Sequence, residues 1–189
     1  IASVERQTVS TYEWIVIDGG STDGSKELIE AHAPSFGYWV SEPDKGIYNA
    51  MNKGIKIARG EYFLFLNSGD CLATDDVIEK ILPELTGEDY LFGNVNVVNE
   101  EGAIKHTTAF HLVLKAGKDF FYNNMTCHQG MFIKGQALKE RRYNEDLKIV
   151  ADWEHIVQQL IINNGTLKIT SLIISNYLDG GFSYSQVAK

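Results

Sequence analysis

Apolar and polar positions alternate along this chain in two different rhythms. Trp14-Ile15-Val16-Ile17 is a short β-branched run that stops in Asp18-Gly19-Gly20-Ser21-Thr22-Asp23-Gly24. An uninterrupted apolar run bounded by turn residues predicts a parallel strand buried on both faces. Thr22 or Asp23 is placed to cap a following helix through Leu28 and Ile29, ending near Pro34. Tyr38-Trp39-Val40 predicts a second strand, broken by Glu42-Pro43-Asp44. Ile47, Met51, Ile55 and Ala58 then mark one face of an amphipathic helix stopped by Gly60. Tyr62 to Leu66 predicts a third buried strand, stopped by Asn67-Ser68-Gly69-Asp70, and Val77 to Leu85 a further helix. Strands alternating with helices call for a parallel sheet covered on its faces.

The second rhythm begins near residue 86. Leu91 to Val98 and Ala103 to Thr108 flank Glu100-Glu101-Gly102, which predicts a hairpin. Cys127 to Lys134 predicts another strand. Trp153, Ile156, Val157, Leu160 and Ile161 share a helix face closed by Asn164-Gly165. Leu167 to Leu178 predicts one or two more strands. The reading is one mixed α/β domain over residues 1–189, with a nucleotide-binding half (1–85) and an acceptor-side half (86–189).

Composition narrows the function classes. The chain has 189 residues and a net charge of −8, which argues against nucleic acid, since phosphate backbones are gripped by Lys and Arg. Two cysteines are too few for a disulfide scaffold and fit free thiols in a reducing compartment. No apolar run approaches the roughly 20 residues of a membrane span. The first methionine is Met51, so the expectation is a processed terminus or a fragment.

In open parallel sheets, ligands bind beyond the carboxyl ends of the strands. Each of the three front strands is followed by acid: Asp18, then Glu42 and Asp44, then Asp70. If the strands are neighbours, these carboxylates converge on one rim and need a cation, a divalent metal or Lys45, to offset them. Singly, each is an ordinary turn residue. The glycine-rich turn has neither the Walker nor the dinucleotide spacing. Asp152, in Val150-Ala151-Asp152-Trp153-Glu154-His155, reads by itself as a helix-start carboxylate favoured by the macrodipole. His128-Gln129 is ambiguous in the same way. The five histidines show no metal-ligand spacing, and neither cysteine has a CxxC partner.

Taken in order, these segments resemble the family 2 glycosyltransferases of the GT-A fold. Glu13 to Gly24 resembles the second strand and its turn. Ser41-Glu42-Pro43-Asp44-Lys45-Gly46 through Gly54 is similar to the segment that follows in a bacterial branch. Gly60 to Asp70 looks like the strand entering the metal-binding DXD region. His128-Gln129, Ala151-Asp152 and Gly180-Gly181-Phe182-Ser183 match later markers. The resemblance implies inverting transfer of a sugar from a nucleotide-diphosphate donor, UDP in the first instance, to an acceptor hydroxyl of a surface polysaccharide or lipid-linked saccharide. It implies that Asp18 meets the uracil or ribose and that Asp44 and Lys45 lie beside the nucleotide. Asp70 would face a Mn or Mg ion and the diphosphate, His128 would line the substrate site, and Asp152 would act as general base. It places the protein in the cytoplasm, at the inner face of the membrane, with a peripheral membrane contact and a homodimer both compatible.

Two departures stand out. The run Asn67-Ser68-Gly69-Asp70 keeps one carboxylate where the metal motif usually carries two, so metal affinity from protein ligands alone should be weak. The family also opens with a strand before the segment resembling Ile1 to Thr8, so the sheet is expected to lack a central member and the chain as given to be a poor enzyme or an inactive one. The competing readings are a nucleotide- or glycan-binding module without turnover and a nucleotidyltransferase. The second of these usually needs a basic, glycine-rich phosphate loop that nothing here supplies.

Overall fold

The computed structural model describes residues 1–108, 110 and 117–180. The Gly181-Phe182-Ser183 part of the C-terminal marker lies outside them. The front half contains α1 (Ala2–Glu5), β1 (Ile15–Asp18), α2 (Ser25–His32), β2 (Tyr38–Ser41), α3 (Ile47–Ile57), β3 (Tyr62–Phe63), β4 (Cys71–Leu72) and α4 (Val77–Ile81). The back half contains β5 (Tyr90–Val98), β6 (Ile104–Thr107), α5 (Phe120–Asn123), β7 (Met131–Lys134), α6 (Gly135–Glu140), α7 (Ala151–Ile156) and β8 (Leu167–Leu178).

The expected parallel pair is present. β1 runs beside β2 in the register Ile15↔Tyr38 to Asp18↔Ser41. The turn after β1 reaches α2 through Gly24, whose φ of 94° suits glycine. The N-cap is Gly24 and not the expected Thr22 or Asp23; Asp23, just ahead of the helix, accepts the N–H of Ser25 on Oδ1, 3.1 Å away. In α3, Met51 and Ile55 are buried as the periodicity requires, and Tyr48 and Asn52 are buried beside them.

The third strand differs from expectation. Only Tyr62 and Phe63 join a ladder, and it is antiparallel, to β7. β1 and β2 form a separate two-stranded sheet, while the larger sheet has the order β3-β7-β5-β8-β4 with β6 on β5. The three acidic strand ends therefore do not belong to three adjacent strands. A cavity of about 1230 Å³ is lined jointly by Ile15 and Ile17 of β1 and by Phe63 to Leu66. An extended run holds ladder geometry only where a neighbour takes up its N–H and C=O groups, and Leu64 to Leu66 line this cavity instead.

β5 carries the core. It is buried at eight of its nine positions, as a strand flanked on both edges and covered on both faces should be. β8 runs parallel along one edge. On the other edge β7 pairs with Tyr90 to Phe92 and β6 with Asn96 to Val98. The expected hairpin is therefore real. The predicted strand Cys127–Lys134 shortens to β7, because His128–Gly130 turns as a 3₁₀ segment before it. Gly130 explains this turn's close approach to β5, and Gly93 makes room for β8. A Cβ on Gly130 would stand 2.6 Å from the Gly93 carbonyl, and one on Gly93 would stand 2.4 Å from Ile174 Cγ1. Leu167 to Leu178 is one twelve-residue strand. The predicted late helix starts as α7 and continues as a π segment, Val157–Ile162, before Asn164 at φ 54°.

Candidate active site

Four of the six residues singled out above meet in or beside one cleft. Asp44, Asp70, His128 and Asp152 all line the cavity, at its polar end. The turn after β2 delivers Asp44, the 67–70 turn Asp70, the 3₁₀ turn His128, and the first turn of α7 Asp152. Asp18 stands at the carboxyl end of β1, but its carboxylate is taken up locally. Oδ2 accepts from the N–H groups of Gly20 (3.1 Å) and Ser21 (3.0 Å) and from the Ser41 hydroxyl (2.6 Å), and Oδ1 accepts from the Ser21 hydroxyl (2.5 Å). Burial pushes this carboxyl up, but the Ser21 and Ser41 hydrogen bonds outweigh it and leave Asp18 below the usual range. It holds the turn and does not line the cleft. Lys45 is exposed on the surface, its backbone N–H donating to Asn49 Oδ1 at 3.3 Å.

Asp44 Oδ1 accepts from the Gly46 N–H (2.8 Å), and Oδ2 lies so near Gly19 that a Cβ there would stand 2.5 Å away. The two acidic turns of β1 and β2 thus touch, and the second glycine-rich position is required by contact rather than by dihedral angle.

Asp70 is held by three N–H donors. Oδ2 accepts from Gln129 Nε2 (2.8 Å) and the Asn67 N–H (3.2 Å), and Oδ1 from the Leu178 N–H (3.2 Å). Burial pushes its carboxyl above the usual range against those donors and nearby His128. A half-buried carboxylate with so little cationic compensation suits a positively charged visitor. With two acceptor positions per oxygen, one on Oδ1 is left. Among the described residues no three His, Cys, Asp or Glu side chains cluster as a metal site would require. A cation there would take one oxygen of Asp70 and would need further oxygen ligands from outside this cluster.

Asp152 is buried and directed from three sides. Oδ1 accepts from the Trp153 N–H and lies against the Tyr48 hydroxyl, both at 2.9 Å, and Oδ2 accepts from His128 Nδ1 at 2.9 Å. The Tyr48 proton is shared with the Ile149 carbonyl at 2.6 Å. Burial, then the Asp152 charge, raise the Tyr48 hydroxyl well above its ordinary value, so it remains a donor. Oδ1 is saturated, and Oδ2 retains one acceptor position for a proton. Cys127, next to His128, is pushed up to about 11 by burial, with Asp152 and Asp70 adding to it. It is a thiol, not a nucleophile. His155 is fully buried, its Nε2 donating to the Arg141 carbonyl (2.8 Å) and its Nδ1 bonded to the Tyr90 hydroxyl. Burial lowers its pKa, and it is a neutral structural ring.

Tyr48, Asn67 and Gln129 are the site residues that the sequence reading gave no role. Tyr48 carries a signal in retrospect. It neighbours the apolar face of α3 with a hydroxyl, and a buried hydroxyl needs a partner.

Residues 1–148 match the model of glycosyl transferase family 2. A PGL/p-HBAD biosynthesis glycosyltransferase of Mycobacterium bovis (strain BCG / Pasteur 1173P2) is 28% identical over 195 residues, covering 99% of this chain and 73% of its own. An uncharacterized glycosyltransferase of Mycobacterium tuberculosis (strain ATCC 25618 / H37Rv) is 34% identical over 157 residues, covering 79% of this chain and 58% of its own. Among solved structures, S. aureus TarS 1-349 in complex with UDP superposes with a TM-score of 0.71 at 18% identity. That match covers 98% of this chain, which spans 57% of the TarS chain. The same TarS fragment with UDP-GlcNAc gives a TM-score of 0.73 at 18% identity, covering 97% of this chain and 55% of TarS. At such identity the likeness carries the fold, the mixed α/β GT-A arrangement. No helix among the described residues is long and apolar enough to cross a membrane.

Proposed function

Because the chain belongs to glycosyl transferase family 2, we propose that it moves a sugar from a UDP donor to an acceptor hydroxyl, with inversion at the anomeric carbon. The observation that carries this reading is Asp152. It is a buried carboxylate in the same cleft as Asp44 and Asp70, with one acceptor position left on Oδ2. The acceptor O–H gives its proton to that oxygen. The acceptor oxygen forms the new bond to the anomeric carbon from the face opposite the nucleotide. The bond to the β-phosphate oxygen breaks, and its electron pair leaves with UDP.

The nucleotide side is assigned to the acidic rim. Asp44 borders the nucleoside, Lys45 supplies exposed positive charge near the diphosphate, and Asp18 shapes that end by holding the Gly19–Ser21 turn. His128 lines the substrate site. Asp70 gives one oxygen to a Mn or Mg ion, which offsets charge on the departing diphosphate when bound. The UDP and UDP-GlcNAc complexes of TarS support a uridine donor. The name of the M. bovis relative, a glycosyltransferase of PGL/p-HBAD biosynthesis, supports an acceptor in bacterial glycan synthesis.

Incubation with a panel of UDP-sugars tests the reaction directly. UDP release together with an NMR-assigned product of inverted anomeric configuration is expected. A retained configuration would exclude the single-displacement step. Tight UDP-sugar binding without release would favour a binding module, the reading to which the single carboxylate at 67–70 points. For the cation, calorimetry is expected to show UDP binding more tightly with Mn²⁺ or Mg²⁺ than with chelator. Equal affinity in the two conditions would remove the metal from the account.

A further inference from the structure

We infer that His128, held by Asn67, is a positioning residue that ties the nucleotide-side turn to the base Asp152. This rests on the assignment of Asp152 as base. The 67–70 turn and α7 come from opposite halves of the chain, yet two side chains connect them. Asn67 Nδ2 lies 2.9 Å from His128 Nε2, and His128 Nδ1 lies 2.9 Å from Asp152 Oδ2. A neutral imidazole carries one N–H. The nitrogen that faces a carboxylate must be the one carrying it, because a lone pair there would repel the charge. Nε2 is therefore the acceptor, and only the amide NH₂ of Asn67 can satisfy it. The carboxylate thus sets the tautomer, the Asn67 amide matches it, and the ring held between them aims Asp152. Both side chains are sheltered, His128 only 12% and Asp152 only 10% exposed.

The neighbouring residue makes the matching connection. Gln129 Nε2 donates to Asp70, and the Ser175 hydroxyl anchors the Gln129 carbonyl at 2.8 Å. Asn67 also gives its backbone N–H to Asp70. One dipeptide therefore sets both carboxylates, His128 the acceptor-side one and Gln129 the nucleotide-side one.

The test compares His128→Ala, His128→Asn, Asn67→Ala and the double variant Asn67→Ala/His128→Ala, each checked for an unchanged melting temperature. His128→Ala is expected to lower kcat about tenfold to a hundredfold, the scale of a small misalignment of a reacting group, with donor KM and UDP affinity within about twofold. His128→Asn, whose amide N–H can take the place of Nδ1–H, is expected to recover much of that loss. Asn67→Ala should lower kcat less, and the double variant should be no worse than His128→Ala alone. Unchanged kcat in His128→Ala, no recovery in His128→Asn, or additive losses would each overturn the inference. If Asp152→Asn removes turnover while His128→Ala does not, only this inference fails. If Asp152→Asn turns over normally, the assignment of the base fails instead.

Discussion

Asp152→Asn is expected to lower transfer about 10²–10⁴-fold, the usual cost of a lost general base, while UDP binds as it does to the wild type. The separation follows from geometry. Asp70 and Asp44 hold the nucleotide side through other turns, and neither makes a hydrogen bond to Asp152 in this structure. Asparagine keeps an oxygen for the Trp153 N–H and the Tyr48 hydroxyl, although its NH₂ then faces His128 Nδ1 and that hydrogen bond is lost. What it cannot do is accept the proton of the incoming hydroxyl. The opposite outcome is also defined. Oδ1 accepts the N–H of the very next residue, in the first turn of α7, which is what a helix-start carboxylate does. A variant with a lowered melting temperature and intact kcat would make Asp152 a structural group. Steady-state kinetics and UDP calorimetry on one preparation separate the two.

Gly130→Ala is expected to damage stability and turnover together. The new Cβ would stand 2.6 Å from the Gly93 carbonyl and 2.7 Å from Val95 Cγ2, distances that real Cβ contacts do not adopt. Backbone on the central strand cannot swing aside as a flexible side chain can. Overpacking of this kind costs about 1–3 kcal/mol, and in a domain of this size each kcal/mol lowers the melting temperature by about 2–4 °C. Relief comes by lifting the His128–Gly130 turn off β5, and that turn carries the partners of both Asp70 and Asp152. Thermal melting and kcat measured side by side check it. An unchanged melting temperature would mean that the turn can slide without cost and does not fix the site.

The front-half elements were legible because each is locally dictated. A β-branched run between turn residues, and apolar residues at steps of four, four and three, need no distant partner to be read. Ile15–Asp18 and Ile47–Ile57 emerge nearly where the pattern puts them. Tyr62–Leu66 has the same local pattern but is held in a ladder only at its first two residues, because a strand's extent is decided by its neighbours. The same logic shortens Cys127–Lys134, where Gly130 lets a tight turn press against the Gly93 carbonyl of the distant β5. At the site, the acidic strand ends were visible as residue types on the expected edge. Whether an oxygen is free was not. Asp18 and Asp44 look alike in sequence, but Asp18 accepts four hydrogen bonds from Gly20, Ser21 and Ser41, whereas Asp44 accepts from the Gly46 N–H and lines the cleft. Asn67 looks like an ordinary turn residue until His128 arrives from sixty-one positions away.

The central claim is that the acidic end of this cleft is a uridine-nucleotide site. Calorimetric titration of UDP into the wild type with Mn²⁺ present, and into Asp44→Ala and Asp70→Ala, tests it most directly. Saturable binding to the wild type that weakens in both variants, with melting temperatures preserved, is the predicted result. Absence of saturable binding, or equal affinity in all three proteins, would contradict it.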